Sequence, residues 1–390
     1  MTYCFCFVSQ GESKYELMSM ILAITLRYYH PTVDIYAGVP QPPSVYGTLS
    51  PPTYDLFREL SVNVLPVRNQ ISDEYKIGNK FAILQETCKI AKNDHVIFLD
   101  TDIICLQPLV MTEEMKTSDL SGMPTDYGDW VNQYPSNDSK FHWSILFQSL
   151  GINYELPDQP YFLSYFSKKP IWAPYFNAGF LCIKNNIDIA QTLNNHTKHF
   201  FEKHYQEKSA KMCFNSDQIA VATTCVSLQL RTSLIPPKMV FSIIPRHPLV
   251  CVDNVSFVHY HSLKRLNHLF INLFYQTSLF RSNEKVLFPN HIHDTMCHYL
   301  LLHLERIIME EKKPHETVTT HILSIIQRIF KHESNAAFSS QQNILFLKSR
   351  PYTSYLSLQA LLEPLLSTES ISEQSTLHDV FKKLLNLNCP

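Results

Sequence analysis

Two spacings of apolar residues alternate over the first hundred positions of the chain. Short runs of aromatic and β-branched residues predict strands, and the segments between them have apolar residues at helical spacing. Because these strands are apolar throughout, they are typical of a parallel sheet that is covered by helices on both faces. The pattern therefore predicts an α/β fold with a mostly parallel, doubly wound sheet. The predicted strands are Tyr3–Val8, Asp34–Val39, Val62–Val67 and His95–Leu99, and the predicted helices are about Tyr15–Tyr29 and Phe81–Ala91.

The rest of the chain has a different pattern. The proline-rich segment 40–52 predicts a loop. Residues 124–175 are rich in aromatic residues, proline, asparagine and aspartate without a clear period, which predicts loops lying over the sheet. Two later strands are predicted at Phe180–Ile183 and Val255–Tyr260, and towards the C-terminus only helical patterns recur. The predicted boundaries are 1–265 for the first domain and 266–390 for a helical C-terminal region.

Composition excludes several classes of protein. The 390-residue chain is 45% hydrophobic and 17% charged, which is typical of folded proteins and far from the composition of disordered chains. Its net charge of -2 leaves no basic surplus for binding nucleic acid. It has eight glycines, and none is spaced as in the glycine-rich loops that cradle phosphates. A bound nucleotide would therefore need a metal ion or cationic side chains to neutralise its phosphates.

The cysteines and the N-terminal residues bear on the cellular compartment. Ten cysteines are scattered without a C-x-x-C pair, and we expect reduced thiols. Cys4 and Cys6 lie two apart in an apolar strand, which favours small buried side chains over a disulfide or a metal pair. The first residues lack the pattern of a signal peptide, and no apolar run approaches the roughly 20 residues that span a bilayer. We expect a soluble cytoplasmic protein, and export by a signal-independent route stays open.

A pair of acidic residues follows the most apolar of the predicted strands. Asp100 and Asp102 flank Thr101 directly after His95–Leu99, and residues i and i+2 of an extended backbone share a face. Two carboxylates this close repel each other and any phosphate nearby, so the arrangement is favourable chiefly with a divalent cation between them. Open α/β sheets bind ligands at the carboxyl ends of their strands, where this pair lies. The motif predicts a metal site that also binds a diphosphate, although chance yields on the order of one Asp-x-Asp in such a chain.

The segment HVIFLDTDIICLQPL around this pair resembles the strand and Asp-x-Asp motif of GT-A-fold glycosyltransferases. The similarity is greatest to the retaining family 8, with its glycogenin-like and lipopolysaccharide-galactosyltransferase-like members. Three later segments resemble further motifs of that family in the right order, so the resemblance covers about residues 3–265. It implies a GT-A fold, a nucleotide-sugar donor and hexosyl transfer. The three segments are Tyr175–Leu181, Asn215–Gln218 and Val258–His261.

The resemblance implies a metal site. Asp100 and Asp102 would bind a divalent ion, and His259 would complete the protein ligands. Oxygen ligands with a single imidazole favour Mn²⁺, with Mg²⁺ as the alternative. His261 shares a strand face with His259, so the choice between the two histidines stays open, although the motif favours His259.

The resemblance also implies residues around the donor sugar. Asn177, Asp217 and Gln218 would line the sugar and form the catalytic set together with the two aspartates of the Asp-x-Asp motif. Simpler explanations exist for two positions, because Gly179 would permit a close approach of strands and Asp217 would cap a helix. The residues predicted to bind the donor are Ser9, Gln10, Lys80, Thr101, Asp126, Ala178, Gly179, Lys264 and Arg265.

Three of the residues predicted to bind the donor are cations: Lys80, Lys264 and Arg265. Lys80 precedes the helix before the Asp-x-Asp strand, and it either reaches the nucleotide or lies in a solvated surface. After its late histidine the family usually has a glycine and then a lysine for the leaving diphosphate. Here Ser262 replaces the glycine and Arg265 replaces the lysine, with Lys264 beside it. Arginine binds a diphosphate through a planar fork, so the geometry of this segment is expected to differ from that of the family.

Together these parts predict a metal-dependent glycosyltransferase. By resemblance it moves a hexose from a UDP-sugar, UDP-glucose or UDP-galactose, to an unknown acceptor with retention of anomeric configuration. Negative charge develops on the departing diphosphate, and the metal with Arg265 or Lys264 would stabilise it. Two alternatives stay open. One is a GT-A-fold binding module without turnover, and the other is a sugar-phosphate nucleotidyltransferase, whose glycine-rich N-terminal loop is represented here by Gly11 alone.

The acceptor is expected to contact the variable parts of the chain. These are 127–170, predicted as an acceptor-side insertion, and the C-terminal helices. A glycan, a lipid-linked glycan or a protein would fit. The stretch 266–280 after the basic pair predicts either peripheral membrane contact or a packed helix. Six aromatic residues would form a platform for the acceptor or belong to the core: Trp130, Trp143, Tyr161, Phe162, Tyr165 and Trp172.

Overall fold

The structure is a computed structural model of the chain. The residues that it describes belong to one structural unit, Met1–Ser262. The predicted helical region 266–390, including the stretch 266–280, lies outside the described residues, as do Trp130 and Tyr165. The described residues are 1–126, 139–164, 167–206, 215–236, 238–242 and 255–261.

Strands and helices alternate along the N-terminal part as the sequence predicts. The described strands are β1 (Tyr3–Val8), β2 (Ile35–Gln41), β3 (Asn63–Arg68), β4 (His95–Leu99), β5 (Ile103–Cys105), β6 (Leu120–Pro124), β7 (Phe162–Leu163), β8 (Pro170–Ile171), β9 (Phe176–Lys184), β10 (Thr232–Leu234), β11 (Val240–Ser242) and β12 (Phe257–His259). The described helices are α1 (Ser13–Tyr29), α2 (Pro43–Tyr46), α3 (Pro51–Glu59), α4 (Asn79–Ile90), α5 (Glu113–Thr117), α6 (Ser139–Ser149), α7 (Ile187–Gln206) and α8 (Ser216–Ser227), with a 3₁₀ turn at Lys76–Gly78. None of these helices is both long enough and apolar enough to cross a membrane.

Seven of these strands form the main sheet, in the order β10-β6-β9-β4-β1-β2-β3. Neighbouring strands are parallel except at β9, which runs antiparallel to both β4 and β6. The prediction of an α/β fold with a mostly parallel sheet is therefore confirmed. The chain leaves β1 on one side to form β2 and β3, and it returns to the other side of β1 to form β4. This reversal is a topological switch point, the place at which open α/β sheets bind ligands.

Apolar side chains are buried on both faces of this sheet. Along β1, Cys4 and Cys6 belong to the apolar cluster that includes residues of α4 and α8. Phe5 and Phe7 belong to the cluster that includes residues of α1. The prediction that the two cysteines are small buried side chains on one face is confirmed. Burial raises the pKa of both thiols, and the cysteines in the described part of the chain are free.

Helices lie in two segments where the sequence predicts only loops. The proline-rich segment 40–52 contains α2 and the start of α3, and segment 124–175 contains α6, so these loop predictions are wrong. Both α2 and α3 have proline at their first or second position. Proline is tolerated there because the first N–H groups of a helix have no partner within it.

The N-terminus of α3 is capped by a side chain from α1. The buried carboxylate of Glu16 accepts hydrogen bonds from the Ser50 N–H at 2.6 Å, from Thr53 Oγ1 at 2.6 Å and from the Ser50 hydroxyl. A carboxylate at a helix N-terminus is also favoured by the helix dipole. Glu16 is 34 residues from Ser50 in the sequence, so the residues around the start of α3 do not reveal that this carboxylate caps the helix.

We expect the protein to lose stability in mild acid because of His30, a buried imidazole after α1. Its Nε2 accepts a hydrogen bond from the Leu109 N–H at 3.3 Å, its Nδ1 lies 3.3 Å from the Tyr3 hydroxyl, and its ring is parallel to that of Phe257. Burial lowers the pKa of His30 from 6.5 to about 4. The unfolded chain binds this proton in mild acid and the folded chain does not, so stability falls as pH drops from about 6.5 to about 4.

The expected loss from His30 is on the order of 2 kcal/mol at about pH 5 relative to neutral pH. Urea unfolding at both pH values measures it. His30→Gln removes the imidazole and is expected to reduce the loss. The same loss in this variant as in the wild type would show that His30 is not its source.

Candidate functional site

The loops at the carboxyl ends of β1 and β4 border the switch point. Ser9 and Gln10 follow β1, and the motif Asp100–Asp102 follows β4. The main chain of this motif is tied to β9, because the Asp100 N–H donates to Gly179 O at 2.8 Å. The Asp-x-Asp motif therefore lies where the topology of the sheet favours a ligand site.

A second sheet brings the late histidines to the motif. It has the strand order β11-β12-β5, and β5 begins directly after Asp102. β5 pairs antiparallel with β12, with His259 opposite Ile103, and the Tyr260 N–H donates to Asp102 O at 2.9 Å. This register places His259 Nε2 3.1 Å from Asp102 Oδ1, although the two residues are 157 positions apart.

Asp102, His259 and His261 form what we call the Asp–His–His cluster. One carboxylate oxygen and one ring nitrogen from each histidine lie within 4.8 Å of one another. The two imidazole rings are 3.7 Å apart, centre to centre, and His259 is only 3% exposed. Imidazole nitrogens and a carboxylate oxygen that converge on one point are ligands for divalent transition metals. These residues therefore fit the predicted metal ion.

The cluster differs by one residue from the predicted ligand set. The predicted ligands are Asp100, Asp102 and His259. In the structure Asp102 and His259 are instead grouped with His261. Asp100 instead pairs with Lys80, whose Nζ lies 2.9 Å from Asp100 Oδ2. A ligand role for Asp100 stays a prediction.

Lys80 connects the Asp-x-Asp motif to α8. Its ammonium lies 2.9 Å from Asp100 Oδ2 and 3.3 Å from Asp217 Oδ2. The side chains of Lys80, Asp100 and Asp217 are only 17%, 20% and 5% exposed, so the alternative of a solvated surface lysine is wrong. Burial opposes the charge of Lys80, but Asp100 and Asp217 outweigh it and raise its pKa. A charged lysine therefore lies between two largely buried carboxylates, and we call the three residues the Lys80 network.

Opposite charges face each other in the Asp–His–His cluster. Burial opposes the ionisation of Asp102, but His259 outweighs it and lowers the pKa of this carboxyl below its ordinary value. Burial likewise opposes the charge of His259, and Asp102 outweighs it and raises the pKa of the imidazole. For Asp100, burial outweighs the attraction of Lys80, so its pKa is raised.

Two glutamine side chains beside the site have buried oxygen atoms. Gln10 Oε1 and Gln218 Oε1 are buried and have no hydrogen-bond partner in the part of the chain that the structure describes. Buried amide oxygens are normally hydrogen-bonded, so both atoms fit contacts with a bound hydroxyl or N–H group. Asn177 Oδ1, in contrast, accepts a hydrogen bond from the Gly179 N–H at 2.8 Å.

Other residues predicted to bind the donor are engaged within the protein. Ser9 Oγ is 2.7 Å from Ser19 Oγ, and the side chain of Ala178 packs in the apolar core. The carbonyl of Thr101 accepts a hydrogen bond from the Tyr260 hydroxyl at 3.3 Å. The structure thus shows internal partners for these groups, and their contacts with a donor stay predictions. Lys264 and Arg265 lie outside the described residues.

The start of α8 differs from the prediction that Asp217 caps it. The N-cap is Asn215, and Asp217 Oδ1 accepts a hydrogen bond from the Gln218 N–H at 2.9 Å within the first turn. The Asp217 N–H donates to the hydroxyl of Tyr75 at 3.2 Å. Sequence reasoning missed Tyr75, because it belongs to no motif and its partner is distant in the sequence.

Asp126 and Ser242 adjoin the Asp–His–His cluster. Ser242 Oγ lies 3.2 Å from Asp126 Oδ2 and 2.7 Å from His261 Nε2. The family resemblance predicts that Asp126 binds the donor, and the sequence gives no reason to single out Ser242. A serine at the end of a three-residue strand shows no pattern from which this contact could be predicted.

Four of the six aromatic residues predicted to form either an acceptor platform or part of the core lie among the described residues. Trp143 is fully buried and Phe162 belongs to the same apolar cluster, so both are core residues. Tyr161 is 43% exposed, and its hydroxyl bonds to Thr232. Trp172 has the ammonium of Lys140 4.1 Å from the centre of its ring.

We expect Gly179→Ala to disturb the Asp–His–His cluster. A Cβ at this position would lie 2.5 Å from His259 Cε1 and 3.0 Å from His259 Nδ1, so the close approach that Gly179 permits is to this ring. Because the ring is almost fully buried, it has to shift relative to Asp102. We expect a loss of about 1–3 kcal/mol in the free energy of unfolding, together with weaker metal binding.

Urea unfolding and calorimetric metal titration measure the two effects of Gly179→Ala. Gly151→Ala is the matched control, because Gly151 has φ +69 and a Cβ there would meet no atom of the described residues within 4 Å. It imposes backbone strain and should leave metal affinity unchanged. Wild-type metal affinity in Gly179→Ala would show that the His259 ring does not depend on the space at Gly179.

The family model described as the Rhodobacterales glycosyltransferase domain matches residues 5–229, more than half of the chain. No curated protein matches the sequence. Among solved structures, the galactosyltransferase LgtC in complex with donor and acceptor sugar analogues is similar at 15% identity. That similarity covers 75% of this chain and 99% of the other, with a TM-score of 0.39.

Proposed function

The chain belongs to the Rhodobacterales glycosyltransferase domain family, and on this premise we propose that it transfers a hexose from a UDP-sugar to an acceptor. The proposed reaction depends on a divalent metal and retains the anomeric configuration, with UDP-glucose or UDP-galactose as the donor. One observation carries the proposal. The Asp–His–His cluster and the Lys80 network both include residues of the Asp-x-Asp motif, at the switch point of the sheet.

The Asp–His–His cluster supports metal binding at the donor diphosphate. The chain has no glycine-rich phosphate loop, so cations have to neutralise the diphosphate. Asp102 and His259 would hold the ion, and a bound divalent ion supplies Lewis-acid stabilisation of the charge on the leaving diphosphate. We propose Lys264 and Arg265, shortly after His261 in the sequence, as the cations that complete this stabilisation.

The Lys80 network supports the proposal that residues of α8 and β9 orient the donor sugar. Lys80 fixes the carboxylates of Asp100 and Asp217 through ion pairs on two different elements, the loop after β4 and α8. Carboxylate and amide oxygens accept hydrogen bonds from sugar hydroxyls. We propose that Asp217, Gln218 and Asn177 orient the hexose in this way. The buried, unpartnered Gln218 Oε1 supports the assignment.

Retention of configuration requires either a covalent intermediate or attack from the face that the diphosphate leaves. A covalent intermediate through Gln218 is disfavoured, because a neutral amide is a poor nucleophile. We therefore propose that the acceptor hydroxyl attacks from the leaving-group face. Its oxygen forms a bond to the anomeric carbon as the bond from that carbon to the diphosphate oxygen breaks, and the hydroxyl proton passes to the departing diphosphate. The protein's part in this step is to hold the sugar and the diphosphate, which the two groups of residues described above can do.

A donor screen tests the proposed function. The full chain is incubated with UDP- and GDP-sugars in the presence of Mn²⁺, Mg²⁺ or a chelator, and nucleotide release is measured. We expect metal-dependent release from UDP-glucose or UDP-galactose, and NMR of the product reports the anomeric configuration. Binding of a UDP-sugar without release would instead identify a binding module without turnover. No binding and no release from any donor would overturn the proposal.

A further inference from the structure

His261 lies at the site but outside the ligand set that the family resemblance implies. We infer that His261 is a metal ligand, and that Ser242 and Asp126 hold its ring in the ligating form. The inference rests on the metal dependence proposed above and adds a second imidazole to Asp102 and His259.

A chain of hydrogen bonds determines which ring nitrogen of His261 carries the proton. A carboxylate only accepts hydrogen bonds, so the Ser242 hydroxyl donates to Asp126 Oδ2, at 3.2 Å. This hydroxyl has one hydrogen, so it accepts in its 2.7 Å contact with His261 Nε2, and the N–H of Nε2 donates. A neutral His261 then has its lone pair on Nδ1. Ligating histidines commonly donate their other N–H to such a group, which fixes the tautomer and the ring.

His259 has no comparable support. Its Nε2 lies 3.1 Å from Asp102 Oδ1, and its Nδ1 is buried without a hydrogen-bond partner among the residues described. That Nδ1 faces Gly179, because a Cβ there would lie 3.0 Å from it. A hydrogen bond at the second nitrogen orients a ligating imidazole, so the structure orients His261 more firmly than His259.

The backbone of His261 has an uncommon conformation. Its φ of 58° lies in the left-handed region, which is unfavourable for a residue with a side chain. Its ring nevertheless lies 3.7 Å from that of His259, centre to centre. Unfavourable backbone conformations persist where surrounding contacts enforce them, and they are concentrated at functional sites. The hydrogen bond to Ser242 is a contact of this kind.

A second imidazole changes the expected metal preference. Imidazole nitrogens suit metals later in the first transition series, whereas carboxylate and water oxygens suit Mg²⁺ and Mn²⁺. Loss of His261 should therefore weaken the binding of Co²⁺ more than that of Mg²⁺. The same contacts assign Asp126 a positioning role, through Ser242 and His261, in place of the predicted contact with the donor.

Metal titration of the full chain tests the inference without any measurement of transfer. Calorimetry and the visible absorption of bound Co²⁺ compare the wild type with His261→Ala, with Mg²⁺ as the reference metal. We expect Co²⁺ affinity to fall by more than about 100-fold, because losing a ligand costs more than losing a group that orients one. Ser242→Ala and Asp126→Asn are each expected to lower it by about 10–100-fold. His199→Ala, which removes a partly buried imidazole that bonds to Ser149, is the matched control.

Added imidazole gives a readout that a merely structural role of His261 would not move. In His261→Ala, it is expected to restore part of the Co²⁺ affinity and the wild-type absorption. Circular dichroism monitors folding, and Ser242→Ala, which keeps the imidazole, carries the test if His261→Ala does not fold. If the wild type binds metal and these variants bind Co²⁺ as tightly with the same spectrum, the inference is overturned and the proposed function stands. If the wild type binds no metal, the proposed metal dependence fails and the inference fails with it.

Discussion

Replacing Asp102 by asparagine is expected to lower metal-dependent nucleotide release by about 10³-fold. Asp102 supplies the carboxylate of the Asp–His–His cluster, with Oδ1 3.1 Å from His259 Nε2. Asparagine keeps the shape and an oxygen that accepts from the histidine, but it lacks the negative charge that holds a divalent ion. A Lewis acid stabilises a leaving group by several kcal/mol, and about 4 kcal/mol corresponds to a thousandfold change in rate.

The fold is expected to survive Asp102→Asn, because the backbone carbonyl keeps its 2.9 Å hydrogen bond from the Tyr260 N–H. Nucleotide release, metal affinity and circular dichroism are measured on the same preparation. Asp55→Asn is the matched control, since Asp55 belongs to an exposed pair with Arg58 and its loss should leave release and metal affinity unchanged. Release at the wild-type rate from folded Asp102→Asn would exclude this carboxylate from the site.

Replacing Lys80 by methionine is expected to lower the free energy of unfolding by about 3–5 kcal/mol. The ammonium lies 2.9 Å from Asp100 and 3.3 Å from Asp217, and all three side chains are mostly buried. Methionine fills much of the same volume but leaves the two carboxylates without a countercharge. Removing one partner from a buried ion pair is costly because the remaining charge is neither solvated nor paired.

Urea unfolding in the presence of a chelator measures this loss without a contribution from bound metal. Lys76→Met is the matched control, because Lys76 pairs with Glu12 at the surface and should contribute less than about 1 kcal/mol. The double variant Lys80→Met/Asp217→Asn removes one unpaired carboxylate and is expected to regain part of the loss. Equal losses in Lys80→Met and Lys76→Met would show that the Lys80 network does not stabilise the fold.

The sheet and the place of the Asp-x-Asp motif could be predicted because each depends on a short stretch of chain. The run His95–Leu99 predicts a strand by itself, and it is β4 in the structure. The residues that follow a strand lie at its carboxyl end whatever its neighbours are, so Asp100 and Asp102 were correctly placed. The longest strand of the described residues was predicted only in part. β9 extends over Phe176–Lys184, whereas the apolar run Phe180–Ile183 indicates only its second half.

The family resemblance alone grouped Asp102 with His259, and only the tertiary structure decided which other polar side chains meet. Asp102 reaches the late histidines because β5 pairs with β12, and neither three-residue strand contains a signal for that register. Lys80 lies between two carboxylates because α4 and α8 both border the loop after β4, and Glu16 caps α3 from another helix. The periodicity of a sequence records which face of each segment is buried. The partner of a buried polar group depends instead on how segments far apart in the sequence pack and pair, so local patterns do not determine it.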